Sequence, residues 1–219
     1  IFTVSEFSKS RILHHLGSGK PVVVTYNAAQ SYLSEPSPPP PKKDIILFIG
    51  NIKKHKGLSC LLEAFLGARK EGLMSRLLIA GSMENFRSRD SGVLGRVSDL
   101  TGEGVEFTGF VPNEKLKILL AEAALLVQPS LYEGFGYPPL EAMTVGTQVL
   151  LSDIPVFREI YGGFPVTFFK AGDSGDLKEK LLSLLMNKKP QRLTLPPDLA
   201  AKYSFKKTAG IILEELEKP

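Results

Sequence analysis

Tyr132-Glu133-Gly134-Phe135-Gly136-Tyr137-Pro138-Pro139-Leu140-Glu141-Ala142-Met143 carries the strongest signal in the chain. The apolar run 123–127 just before it predicts a buried strand. Pro138 and Pro139 predict the first turn of a helix, where a missing N–H needs no partner. The order is therefore strand, Gly-rich loop, helix N-terminus. Unpaired N–H groups and the positive dipole end of such a helix favour an anion, for example a phosphate. Gly134 and Gly136 let the backbone come close to a ligand. Glu133 lies in the loop. Glu141 lies about one turn into the helix, and helical side chains lean back toward the N-terminus. Both carboxylates can face one crevice. Carboxylates accept hydrogen bonds and suit hydroxyl groups. A ligand with phosphates and many hydroxyls, such as a nucleotide sugar, would use both features. A solvated loop with two surface glutamates is the other reading, and a lone Gly-rich loop does not choose between them.

Composition narrows the classes. The chain has 219 residues, 43% hydrophobic and 23% charged, as in ordinary globular proteins. The formal charge of +4 is compatible with acidic ligands or an anionic membrane surface. One cysteine excludes an internal disulfide and gives no metal cluster. That residue, Cys60, stands among Leu58, Leu61, Leu62 and Phe65, which predicts a buried thiol. No apolar run approaches the roughly 18 residues of a membrane-spanning helix. No signal-peptide pattern opens the chain. It starts on a predicted strand without Met, so a fragment of a longer protein is expected.

Along the chain, residues 1–4 and 21–26 predict strands. Ser5 predicts the cap of a helix carrying Ile12, Leu13 and Leu16 and stopping at Gly17. Prolines at 36 and 38–41 predict an extended linker over 36–43. From there strands are predicted over 45–49, 77–80, 105–108, 125–128, 148–151 and 166–169. Leu58, Leu61, Leu62, Phe65 and Leu66 recur at helical spacing. Further helices are predicted over 93–100, after Asn113 as cap, over 155–160, and after Asp176 as cap. A polar linker over 188–197 leads to a last helix carrying Ile211, Ile212, Leu213 and Leu216. Alternating strands and helices, with continuous apolar strands, predict an α/β fold with a Rossmann-like, doubly wound parallel sheet. Ligands on such sheets bind beyond the C-terminal ends of the strands. Gly50, Gly81, Gly109, Ser130 and Ser152 all follow predicted strands and so line one edge.

The motif set resembles retaining glycosyltransferases of family 4, on the GT-B fold. Two glutamates eight positions apart, with Gly-Phe-Gly between and Pro-x-Leu-Glu-Ala-Met at the end, carry the resemblance. Phe48-Ile49-Gly50-Asn51 with His55-Lys56-Gly57 stands in the family's order with it. So do Ile79-Ala80-Gly81-Ser82, Val105-Glu106-Phe107-Thr108-Gly109-Phe110-Val111 and Gln128-Pro129-Ser130. The match runs over about residues 44–175, with further similarity at both ends. The resemblance implies a donor-binding C-terminal half. Residues 1–35 would be the tail of the N-terminal acceptor domain and 36–43 a Pro-rich linker. Residues 44–187 would form the nucleotide-sugar-binding domain, and 188–219 a linker and C-terminal helix. The remainder of the N-terminal domain would be a missing partner.

The family implies roles for single residues. Lys56 would contact the donor diphosphate, beside Gly50 and Asn51, where many members have an arginine in place of Asn51. Val111, after its strand, would lie at the nucleobase. Gly134, Phe135 and Gly136 would offer backbone N–H groups to sugar and phosphate, and Tyr137 would pack on the nucleotide. Glu141 would accept from the ribose hydroxyls. Glu133, the catalytic candidate, would meet the sugar near its reacting carbon. The form of 51–58 is similar to that of many bacterial mannosyltransferases, so a hexose, mannose, from GDP-mannose is expected, transferred with retention to a glycan or lipid-linked acceptor in polysaccharide biosynthesis. No Asp-x-Asp bridges a diphosphate, so no metal or other cofactor is expected, nor nucleic acid as partner. A cytoplasmic place is expected, with a peripheral contact on the inner membrane face. Three alternatives stand beside this reading: a transferase using a UDP-sugar, a non-catalytic nucleotide-binding module, and a nonhydrolysing epimerase, for which no acid–base residues are found.

Overall fold

The structure, a computed structural model, describes residues 1–17, 19–28, 39–81 and 100–218. Residues 93–99 of the helix predicted over 93–100, and residues 36–38 of the linker over 36–43, fall outside the described residues. The elements run β1 (Phe2–Thr3), α1 (Glu6–Leu16), β2 (Val23–Val24), β3 (Lys43–Ile49), α2 (Leu58–Lys70), β4 (Arg76–Ala80) and β5 (Val105–Gly109). There follow α3 (Asn113–Glu122), β6 (Ala123–Gln128), α4 (Tyr137–Thr144), β7 (Gln148–Ser152), α5 (Pro155–Tyr161), β8 (Thr167–Phe169), α6 (Ser174–Leu185), α7 (Pro197–Ala200) and α8 (Phe205–Leu216).

Six strands form one parallel sheet in the order β5-β4-β3-β6-β7-β8. This is the doubly wound order expected from the alternating pattern. Side chains of a strand alternate between faces. On β3, Ile46 and Phe48 enter one core with Leu61 and Phe65 of α2 and Leu177 and Leu181 of α6. Ile45 and Leu47 enter the other with Leu120 of α3, Leu140 and Met143 of α4, and Phe157 and Tyr161 of α5. Both faces are covered, which is why the strands read as continuous apolar runs.

β1 and β2 pair in a small parallel sheet of their own. Ser5 caps α1 by accepting from the Ser8 N–H at 3.0 Å, and Gly17 ends it in the left-handed region. The face predicted to be apolar is not covered: Leu13 and Leu16 are exposed. Two caps differ from expectation. The cap of α6 is Asp173, whose carboxylate accepts from the N–H groups of Gly175 and Asp176. Asp176 instead accepts from the Lys170 N–H at 2.6 Å. Pro112, not Asn113, precedes the first residue of α3, and no side chain caps it. Cys60 is half-buried rather than buried, because it lies on the rim of the core helix face.

Candidate functional site

The site grows from one topological fact. β3 and β6 are neighbours, yet the chain leaves β3 toward β4 and leaves β6 toward β7, on opposite sides. The loops after these two strands open a crevice at the sheet's C-terminal edge.

The loop after β3 turns through a 3-10 segment, Lys54–Lys56, to Gly57. Gly57 has φ +69°, and a Cβ there would lie 1.9 Å from Pro129 O. Only glycine lets the two loops approach so closely. Across the contact the Leu131 N–H donates to His55 O at 2.7 Å. Gln128 Nε2 donates to Ile49 O at 3.1 Å, so the strand ends are tied as well. A Cβ on Gly81 would lie 2.0 Å from Gly50 O, which packs the β4 end against the same loop.

The clasp brings Lys56 and Glu133 together. Lys56 Nζ lies 2.7 Å from Glu133 Oε1, with the two side chains 20% and 10% exposed. Ser130 Oγ donates to the same oxygen at 2.8 Å. An ammonium has three donors, so Lys56 keeps donors for a second anion while bound to Glu133. The family resemblance assigns Lys56 to the diphosphate and Glu133 to the sugar but says nothing of their pairing.

Behind them the Gly-Phe-Gly turn is fixed. Ser5 Oγ donates to Gly134 O at 2.7 Å, and the Tyr161 hydroxyl donates to Gly136 O. Gly136 has φ +84°, and a Cβ would lie 2.6 Å from Phe157 Cε1. The Phe135 side chain is buried, edge-on to Tyr203 at 5.5 Å between ring centroids. What Phe135 can present to a ligand is therefore its backbone. Tyr137 stays half-exposed beside Phe135. Burial, then the nearby Glu141 carboxylate, pushes its hydroxyl above the usual tyrosine range. Glu141 is half-buried on α4.

Asn51 is exposed at the start of the first loop. Val111 lies two strands away, beyond β5, in a cleft of about 370 Å³ lined with Thr108, Phe110, Pro112 and Leu119. Phe110 is 78% exposed and is not a core residue. Asp153 is taken up structurally: its carboxylate accepts from the Ala171 N–H at 2.9 Å. Ser5 and Tyr161 were invisible as site residues. The first reads as a helix cap and the second as a helix end, and neither spacing points to the loop.

Residues 30–194 match the family described as glycosyl transferases group 1. Among curated relatives, the chain is 33% identical over 175 residues to O-antigen chain mannosyltransferase B of Escherichia coli, covering 74% of this chain and 45% of that protein. It is 54% identical over 56 residues to O-antigen chain mannosyltransferase RfbU of Salmonella typhimurium, covering 26% and 16%. The chain thus spans less than half the length of these relatives. Among solved structures, Anabaena Alr3699/HepE, determined with UDP and glucose, has a TM-score of 0.79 at 18% identity, over 100% of this chain and 62% of that one. Sucrose-phosphate synthase from Thermosynechococcus elongatus has a TM-score of 0.67 at 20% identity, over 97% and 53%. These likenesses show the GT-B glycosyltransferase fold. The chain belongs to the glycosyl transferases group 1 family.

Proposed function

We propose that this chain is the donor-binding part of a retaining hexosyltransferase, taking mannose from GDP-mannose to a glycan or lipid-linked acceptor. The observation that carries the proposal is the Lys56–Glu133 pair at the mouth of the β3–β6 crevice. A cation for the diphosphate and a carboxylate for the sugar hydroxyls stand there side by side. Lys56 and the loop amides hold the diphosphate, with Gly50 and Asn51 at the edge. Glu141 accepts from the ribose, with Tyr137 against the nucleotide and Val111 at the base. In the transfer, the bond from the sugar's anomeric carbon to the diphosphate breaks and its electron pair leaves with the nucleoside diphosphate. A bond from that carbon to an acceptor hydroxyl oxygen forms, the hydroxyl proton passes to the departing diphosphate oxygen, and configuration is retained. No metal is needed for this donor set. The names of the curated relatives support mannose.

Titration of the chain with GDP, UDP and ADP tests the reading. GDP should bind tightest. The HepE structure contains UDP, and tighter UDP binding here would replace GDP-mannose by a UDP-sugar. Binding of none of the three would remove the donor site altogether.

A further inference from the structure

Two hydroxyls grip the Gly-Phe-Gly turn from behind. Ser5 Oγ holds Gly134 O at 2.7 Å, across 129 residues of sequence. The Tyr161 hydroxyl holds Gly136 O. Ser5 and Tyr161 are both wholly buried. Burial pushes the Tyr161 hydroxyl well above its ordinary range, so it keeps its proton. Ser8 Oγ stands 3.4 Å from Gly134 O as a second donor. The grip is itself secured. Glu159 of α5 accepts from the Glu6 and Phe7 N–H groups at 2.8 and 2.9 Å, which locks the start of α1 onto α5. Tyr161 stands on the same helix.

A trans peptide is planar, and its N–H points opposite to its C=O. Gly134 O shares a plane with the Phe135 N–H, and Gly136 O shares one with the Tyr137 N–H. Both oxygens are drawn to the rear. Both N–H groups are therefore turned to the side of the loop away from Ser5 and Tyr161. We propose that Ser5 and Tyr161 are positioning residues that orient the Phe135 and Tyr137 amides toward the donor's diphosphate. The proposal rests on the donor-site reading above.

Calorimetry on the 219-residue chain tests it, using GDP and UDP against guanosine and uridine. Ser5→Ala/Ser8→Ala and Tyr161→Phe should each weaken the diphosphates about three- to tenfold, the loss of one neutral hydrogen bond, and leave the nucleosides unchanged. Ser204→Ala removes a comparable helix cap on α8 and should move neither. Variants that fold and bind diphosphates like the unchanged chain would overturn the proposal, and so would an equal loss for diphosphates and nucleosides. Should the serine variant not fold, Tyr161→Phe decides alone, since its ring still fills the core. An unchanged chain that binds no nucleoside diphosphate would overturn the donor-site reading, and this proposal with it.

Discussion

Lys56 and Glu133 stand 77 residues apart in sequence, and their charged atoms meet at 2.7 Å. The pair joins the two loops of the crevice, so each partner controls the field the other feels. Lys56→Ala should weaken GDP or UDP about tenfold to a hundredfold, the loss of a hydrogen bond to a charged group. It should leave the bare nucleoside nearly unchanged. Calorimetry on the folded variant measures both, and equal losses would take Lys56 off the diphosphate.

The two glutamates should separate. Glu141→Ala should weaken free nucleotide and nucleotide sugar alike, about tenfold to a hundredfold if it holds the ribose. Glu133→Ala removes a negative charge beside the diphosphate site and frees Lys56. Free nucleoside diphosphate should then bind as well as before or better, while the nucleotide sugar binds more weakly. Turnover by the full-length protein should fall. No effect from either change, with folding intact, would return the loop to a structural role.

The sheet was legible because both of its faces are buried. Runs such as 45–49 and 123–127 carry apolar residues at every position, and such runs fit only central strands of a covered parallel sheet. The strand–loop–helix around Glu133 was legible for a local reason: glycines and prolines fix its backbone within a dozen residues. The clasp was not. Whether Lys56 meets Glu133 depends on β3 lying beside β6, a matter of strand order rather than of spacing. Ser5 and Tyr161 were hidden for the same reason. The cap of α6 is ambiguous in sequence because two aspartates, Asp173 and Asp176, stand at that helix start and only backbone geometry chooses between them. α3 starts after Pro112 with no side-chain cap at all, which no cap-residue preference signals.

Gly57 gives a stability test. Its left-handed φ and the 1.9 Å approach of a Cβ to Pro129 O leave no room for alanine. Gly57→Ala should lower the thermal midpoint and weaken diphosphates by displacing Lys56. A strained backbone of this kind costs on the order of 1–3 kcal/mol. Gly163→Ala, where a Cβ meets nothing within 4 Å, is the control and should leave both unchanged. Equal melting curves for the two variants would mean that the clasp yields.

A lipid-linked acceptor calls for contact with a membrane surface. Among the described residues, no helix is long and apolar enough to cross a membrane. Peripheral docking through basic side chains should weaken as salt screens them. The full-length protein should then sediment with membranes at low salt and leave them at high salt. A distribution free of membranes under both conditions would remove the docking idea.

At the opposite edge of the sheet, just before β3, Lys42 sets a pH dependence. Burial, then the Arg192 guanidinium, pushes its ammonium down to about 7. Its nitrogen donates to Thr147 Oγ1, and Arg192 is held in place by donating to Pro40 O at 2.7 Å. In the unfolded chain this lysine titrates at its ordinary value, about 10.4. Between the two values the unfolded chain binds more protons than the folded one, so this group makes stability rise with pH. Its destabilising effect is full below about pH 7 and gone above about pH 10.4. Cys60, pushed up to about 11 by burial, acts with the opposite sign from about pH 8.5 upward. The comparison is therefore with Lys42→Met, which leaves Cys60 in place. Against that variant, the unchanged chain should gain thermal midpoint steadily from pH 7 to pH 9. At pH 7 the methionine variant should be the more stable of the two. Parallel melting profiles across that range would mean that Lys42 stays charged in the folded chain.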